Sequence, residues 1–189
     1  MKYDLLGYHR APVRVRFGQT DRYGHTWHGH LPAFMEEGRA SFARHYHLGT
    51  DTLLGHNIAI PMIELACEYC HASYEDELLD VQLTLLRPVL KLPGFVFLYR
   101  VFGGPNGTTE IARGRTRQVI AAREGGLMMR SPRPIADLVE AAWRDLECAP
   151  RWTDAKAITG SAIVMGDEII PFQPAPVAVS KEHNHEHRP

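Results

Sequence analysis

Asp21, His25, His28 and His30 place one acid and three imidazoles within a single short polar turn. A strand, expected over Val13 to Phe17, leads into this turn, and a helix starts directly after it. A carboxylate held just before a helix start lies beside backbone N–H groups that have no intrahelical partner, at the positive end of the helix dipole. That arrangement suits an anionic transition state, with the N–H groups holding an oxyanion while the acid handles water. Asp21 is therefore the leading candidate for a catalytic acid or base. The competing reading is an aspartate that only forms the turn or caps the helix.

The same four residues are also of metal-ligand type. Their spacing matches no zinc pattern, so no metal is expected there. Cys67-Glu68-Tyr69-Cys70-His71 formally fits a haem-attachment motif. It lies in a segment that alternates like a strand, which would send Cys67 and Cys70 to opposite faces, so structural cysteine is the preferred reading. His183, His185 and His187 sit in a terminal stretch read as a flexible tail.

The elements that must position the turn follow from periodicity. Leu31, Phe34, Met35, Phe42 and Tyr46, with Gly38 and Ala43 between them, fall at helical spacing, opposite Glu36, Glu37, Arg39 and Arg44. Pro32 fits because the first helical turn needs no N–H from it. Gly49, after His45 and His47, reads as the stop, giving a helix over about 31–47. Gly38 costs such a helix roughly 1 kcal/mol relative to Ala, which implies another backbone packed closely against it. Residues 1–12 read as a loose lead-in and 50–57 as a connecting loop.

After Ile58 the period becomes two. Ile63, Leu65, Cys67 and Tyr69 share one face and Glu64 and Glu68 the other, as in a half-buried strand. A polar break at Tyr74 to Asp76 precedes Leu79, Val81, Leu83 and Leu85, a strand ending near Pro88. Pro93-Gly94 is a turn signal, Phe95 to Phe102 a strand, and 103–107 (GGPNG) a turn. Glu110 to Ala122 forms the last long strand, with Arg113, Arg115 and Arg117 on one face. Pro134 to Glu147 reads as a second helix. The order β-α-β-β-β-β-α is an α+β pattern with the long helix against one sheet. Residues 1–148 make one domain. Residues 149–189 are an extension holding a small hairpin (Ser161 to Val164, Glu168 to Ile170) and a disordered end.

Composition bounds the function. The chain has 189 residues, 44% hydrophobic and 23% charged, enough for one domain with a real core. A net charge of −1 gives no reason to expect nucleic acid or a membrane surface as partner. No apolar run has the length of a membrane span, and MKYDLLGYHR does not read as a signal peptide. Three cysteines cannot all pair, so a reduced, cytoplasmic protein is expected.

Thr20-Asp21, Gly24, Trp27-His28, Phe34, Glu36 and Arg39, together with Tyr74-Glu75-Asp76-Glu77-Leu78 and Ala112-Arg113-Gly114, resemble the hotdog-fold thioesterases. The likeness is to the 4-hydroxybenzoyl-CoA thioesterase group and the Tol–Pal-associated acyl-CoA thioesterases, over about residues 10–147. The resemblance implies one long helix wrapped by a curved antiparallel sheet. It also implies edge-to-edge pairing into a dimer or dimer of dimers, and active sites at the interface. It implies hydrolysis of an acyl-CoA or acyl-carrier thioester without a cofactor. Asp21 matches the catalytic acid, as base or nucleophile, and His28 the position whose N–H polarises the thioester carbonyl. Trp27, Gly29 and His25 would line that oxyanion and substrate site. Arg22-Tyr23 and Leu31 depart from the residues common at those places, so a hydroxybenzoyl substrate is not carried over.

Glu36 is the reserve acid, because a helix glutamate does the chemistry in another hotdog branch. Its alternative is an ion pair with Arg39, three residues on. Arg113, Arg115 and Arg117 are candidate contacts for CoA phosphates, since guanidinium forks suit phosphate oxygens. The plainer alternative is an outer face paired with Glu64 and Glu68. Two rival functions stand on the same fold. One is a hydroxyacyl hydratase or dehydratase, which needs a His–acid dyad. The other is a scaffold that binds an acyl ligand or a protein without turnover.

Overall fold

The computed structural model describes residues 7–86 and 93–152, and the backbone of Val164–Met165 and Glu168–Ile169. The chain is an α+β hotdog fold. Five antiparallel strands, β1 (His9–Arg14), β3 (Met62–Tyr69), β4 (Leu78–Leu85), β5 (Gly94–Gly103) and β6 (Thr109–Val119), line up in the order β1-β4-β5-β6-β3. The long helix α1 (Leu31–His45) lies against one face of this sheet. A short helix α2 (Thr50–Gly55), a two-stranded pair β2 (Ile58–Ala59) with β7 (Ala121–Ala122), and helix α3 (Arg133–Cys148) complete the domain.

Alternation decides which side of each strand meets the helix. Leu79, Val81, Leu83 and Leu85 of β4 are buried, as are Phe95, Phe97, Tyr99 and Val101 of β5. Against them α1 sets Leu31, Phe34, Met35, Gly38 and Phe42, the stripe that its spacing predicts. Ile135, Val139, Ala142 and Leu146 of α3 join the same core. The arginine register also follows: β6 turns Arg113, Arg115 and Arg117 to the outer face while Ala112, Gly114, Thr116 and Gln118 alternate with them.

Several expectations need correction. The first strand spans His9–Arg14, not Val13 to Phe17, so residues 9–12 are no loose lead-in. Ala11 and Val13 face inward together with His9, whose ring packs edge-on against Phe42 of α1, and it is pairing with β4, not a hydrophobic run, that fixes this strand. Phe17–Gln19 instead forms a turn of 3₁₀ helix. Helix α1 ends at His45, and Gly49 is not its stop. His47 takes the left-handed conformation (φ 56°), the Leu48 N–H donates to the Ala43 carbonyl at 2.8 Å, and buried Leu48 anchors the exit. Gly49 precedes α2, which occupies most of the expected loop. The turn 104–107 and the paired strands Val164–Met165 and Glu168–Ile169 fall where expected. Pro88 and the terminal histidines lie outside the described residues.

Gly38 faces a side chain, not a backbone. A Cβ there would stand 2.6 Å from Cγ1 of fully buried Val81. Gly38→Ala should therefore lower stability by about 1–2 kcal/mol, because overpacking outweighs the helix-propensity gain. Urea unfolding should show the midpoint falling at constant slope.

Candidate active site

The loop after β1 closes on itself. Thr20 bridges Thr26, and the Asp21 N–H donates to the His25 carbonyl at 2.7 Å. Gly24, at φ 80°, permits the tight return. Thr26 ties this loop to the segment before β4: its N–H donates to the Ser73 carbonyl at 2.8 Å, and its hydroxyl lies 2.7 Å from that of buried Ser73. Glu77 braces the other side. It accepts from the Tyr74 N–H at 2.8 Å and from the Gly104 N–H.

Asp21 is half-buried in the neck of this loop. Its Oδ1 accepts the N–H groups of Tyr23 at 2.8 Å and His25 at 3.2 Å. The turn-forming role is thus real, and it uses one oxygen. Among the described residues no donor is assigned to Oδ2, which leaves that oxygen for a water.

His28–His30 forms a single 3₁₀ turn that runs straight into α1. Its closing bond is from the His30 N–H to the Trp27 carbonyl at 2.9 Å. The N–H groups of His28 and Gly29 precede that bond and have no partner within the helix. Trp27 lies over Gly29, where a Cβ would strike the indole ring. Only glycine lets the ring come so close at this position.

The three imidazoles part company. His25 packs edge-on against Tyr74 (5.4 Å between ring centroids); His28 lies tilted on Trp27 (5.0 Å) and edge-on to Tyr69 (6.4 Å); and His30 stacks on Phe34 (6.5 Å) and meets Trp27 edge-on (5.4 Å). Among the described residues no three His, Cys, Asp or Glu side chains gather as a metal site.

Glu36, one turn into α1 past Pro32, is gripped by the Arg39 guanidinium through two parallel bonds, one of them Nε to Oε2 at 2.8 Å. Both residues face a cleft of about 290 Å³ between α1 and the β3–β6 edge, lined also by Pro32, Met62, Leu65, Thr116 and Gln118. Two of the three β6 arginines are paired: Arg113 with Glu68 at 3.1 Å and Arg115 with Glu64. Cys67 packs on the core while Cys70 meets Arg113 on the other side, and burial pushes the Cys67 thiol up to about 11.

Sequence reasoning missed Tyr69, whose hydroxyl donates to the His28 carbonyl at 3.0 Å and so pins the His28–His30 turn to β3. Its place on the alternating face of that strand was the available signal. It also missed Ser73 and the inward polar pair Thr116 and Gln118.

A family model described as the thioesterase-like superfamily matches residues 15–169, spanning the loop, α1 and the whole sheet after β1. The chain belongs to that superfamily. This thioesterase is 28% identical over 97 residues to the acyl-CoA thioester hydrolase YbgC of Escherichia coli, a match covering 51% of this chain and 71% of that one. Its fold is shared with the DHNA-CoA thioesterase of Staphylococcus aureus (TM-score 0.63, 18% identity, covering 75% of this chain and 91% of that one). A hypothetical protein of Aquifex aeolicus is similar as well (TM-score 0.61, 22% identity, covering 69% and 98%). No helix among the described residues is long and apolar enough to cross a membrane.

Proposed function

We propose that this thioesterase hydrolyses an acyl-CoA to the free acid and CoA at the Asp21–His28 turn. The observation that carries the proposal is the division of labour at Asp21: Oδ1 holds the loop, and Oδ2 has no assigned donor, in the same loop that delivers the N–H groups of His28 and Gly29. As general base, Asp21 takes a proton from water as the water oxygen bonds to the thioester carbonyl carbon. The carbonyl oxygen gains the charge and is held by the two N–H groups. Collapse breaks the C–S bond, and the departing CoA thiolate recovers the proton. As nucleophile, Asp21 would instead form a mixed anhydride that water then opens. Acyl mass on the Asp21 peptide after rapid quenching would mark the second route.

Trp27, Gly29 and His25 line this site in the reading, and Glu36 is left as the reserve acid, held by Arg39. Neither the His25 nor the His28 ring bonds to Asp21 among the described residues, which argues against the His–acid dyad of a hydratase. Of the candidate CoA-phosphate contacts Arg113, Arg115 and Arg117, phosphates at Arg113 and Arg115 would have to compete with Glu68 and Glu64. Unpaired Cys67, Cys70 and Cys148 support a reducing, cytoplasmic setting. The domain is taken as residues 1–148, with 149–189 as an extension whose start, at Trp152, packs on the sheet.

Hydrolysis of a panel of short, long and aromatic acyl-CoAs tests the activity. Free CoA should be measured by chromatography, since exposed Cys148 would react with a thiol dye. Release of CoA and free acid from at least one member is expected. Binding without turnover across the panel would replace hydrolysis by a scaffold role.

The reading includes self-association along β3. That strand has a neighbour on one side only, and Met62, Ile63, Leu65 and Tyr69 are 42%, 55%, 44% and 50% exposed. An open edge carrying so much apolar surface calls for a partner. Light scattering should give a dimer or larger, and the double change Met62→Lys with Ile63→Lys should give monomers. A monomeric parent would remove this part of the reading.

A further inference from the structure

We infer that Tyr69 is a positioning residue for the oxyanion site, and that its hydroxyl holds and polarises the peptide group whose N–H is that of Gly29. The inference rests on the hydrolase reading above, which gives the oxyanion to the N–H groups of His28 and Gly29.

A peptide group is one resonant unit, so its carbonyl and its N–H are coupled. A hydrogen bond accepted by the carbonyl draws electron density from the nitrogen and makes the N–H a stronger donor. Each of the two N–H groups therefore acts together with the carbonyl of the residue before it. The His28 N–H shares its peptide group with the Trp27 carbonyl, which accepts the His30 N–H at 2.9 Å. The turn supplies that bond from its own backbone. The Gly29 N–H shares its peptide group with the His28 carbonyl, which accepts the Tyr69 hydroxyl at 3.0 Å. No backbone acceptor is assigned to the Gly29 N–H among the described residues.

The continuing helix cannot serve the His28 carbonyl in the ordinary way. Its α-helical donor would be the N–H of the fourth residue onward. That residue is Pro32, which has no N–H. Tyr69 reaches across from β3 and brings a donor to the carbonyl that proline leaves short. The strand fixes the phenol: Tyr69 pairs with Ala112 of β6, and the next residue, Cys70, donates its N–H to the Ile111 carbonyl at 2.9 Å. The ring stands edge-on to His28, 6.4 Å between centroids. Desolvation, and then Cys67 beside it, push the hydroxyl's pKa up, so it keeps the proton it donates at neutral pH.

Tyr69→Phe keeps the ring against His28 and removes the hydroxyl alone. Losing a whole oxyanion donor costs on the order of 10²–10³ in kcat, and one further bond in a chain strengthens its neighbour by roughly 10–30%. The variant should therefore lose about two- to tenfold in kcat on its best acyl-CoA. KM should stay within about twofold, because the loss falls on the transition state.

A purely mechanical pin would need only some donor at this place, so graded donors separate the two roles. Tyr69→4-aminophenylalanine gives a weaker donor and Tyr69→3-fluorotyrosine a stronger one. At a pH where both phenols are protonated, kcat should rise in the order phenylalanine, 4-aminophenylalanine, tyrosine, 3-fluorotyrosine. His28-Gly29 is the only His-Gly pair in the chain, so isotope labels on histidine carbonyls and glycine nitrogens leave one doubly labelled amide signal. Its proton should move upfield in Tyr69→Phe and downfield in Tyr69→3-fluorotyrosine.

Equal kcat in the parent and Tyr69→Phe overturns the inference, and so does a flat series among the three donors. The amide signal needs no turnover, which lets the two ideas fail separately. Hydrolysis with an unmoved Gly29 signal removes Tyr69 and keeps the hydrolase. A graded signal in a protein that hydrolyses no acyl-CoA keeps the polarised N–H and removes the hydrolase.

Discussion

Asp21→Asn should lower turnover of acyl-CoA by about a thousandfold and leave the thermal midpoint close to that of the parent. The size is that of a lost general base, typically 10²–10⁴. Near-constant stability follows from how the carboxylate is used. The N–H groups of Tyr23 and His25 bond to Oδ1, and an asparagine carbonyl accepts both equally well. What the amide cannot do is take a proton from water or attack a carbonyl. Asn therefore separates chemistry from turn formation, which Ala would confound. Asp21→Ala should lose activity and also about 1 kcal/mol of stability, because two loop N–H groups lose their acceptor. Initial rates on the best member of the panel, with melting followed by calorimetry, read both quantities. Full activity in Asp21→Asn would remove Asp21 from the chemistry and turn attention to Glu36, which would first have to leave Arg39.

The contrast between Asp21 and Gln118 shows what the chain discloses before it is folded. Helix α1 was legible because Leu31, Phe34, Met35, Gly38 and Phe42 repeat at a spacing that only one backbone geometry brings to a common face. The same logic gave β4, whose four leucines and valines at alternate positions all turned inward. That Asp21 stands in a loop ahead of a helix start was legible, because the sequence marks that start through Pro32. Beyond that, tertiary partners decided. Nothing in residues 9–14 announces a strand, since only Ala11 and Val13 are apolar and inward. The exit of α1 was misread because burial of Leu48 forces His47, not glycine, into the left-handed turn. β3 looked half-buried by alternation, yet its apolar face is half exposed in the single chain, because β3 is an edge. Gln118 was readable in principle: the outward arginines at 113, 115 and 117 already placed 116 and 118 inward. Whether its amide found partners depended on Tyr99 and Thr116, from positions that no local pattern connects.

Phe34→Ala should cost about 3–5 kcal/mol of stability and also slow the reaction. Phe34 is fully buried in the first turns of α1, and its ring stacks under His30, the last residue of the turn proposed to hold the oxyanion. Truncation removes the largest side chain beneath that turn and leaves a cavity that the neighbouring strands, rigid in their ladder, can only partly fill. For a chain of this size the thermal midpoint should fall by about 6–20 °C. Stability alone does not establish the link to function, so Phe42→Ala is the control. Phe42 is 1% exposed, three turns from the site, and packs against Phe97 and Tyr46. Its loss should cost a similar amount of stability. Measured well below either midpoint, where both variants are folded, the Phe42 variant should keep most of its kcat. The Phe34 variant should lose about tenfold or more, because N–H groups displaced by a fraction of an ångström no longer meet the oxyanion squarely. Equal rates in the two variants would mean that the His28–Gly29 turn is held by Tyr69 and Trp27 alone. The core beneath the helix start would then serve stability and nothing else.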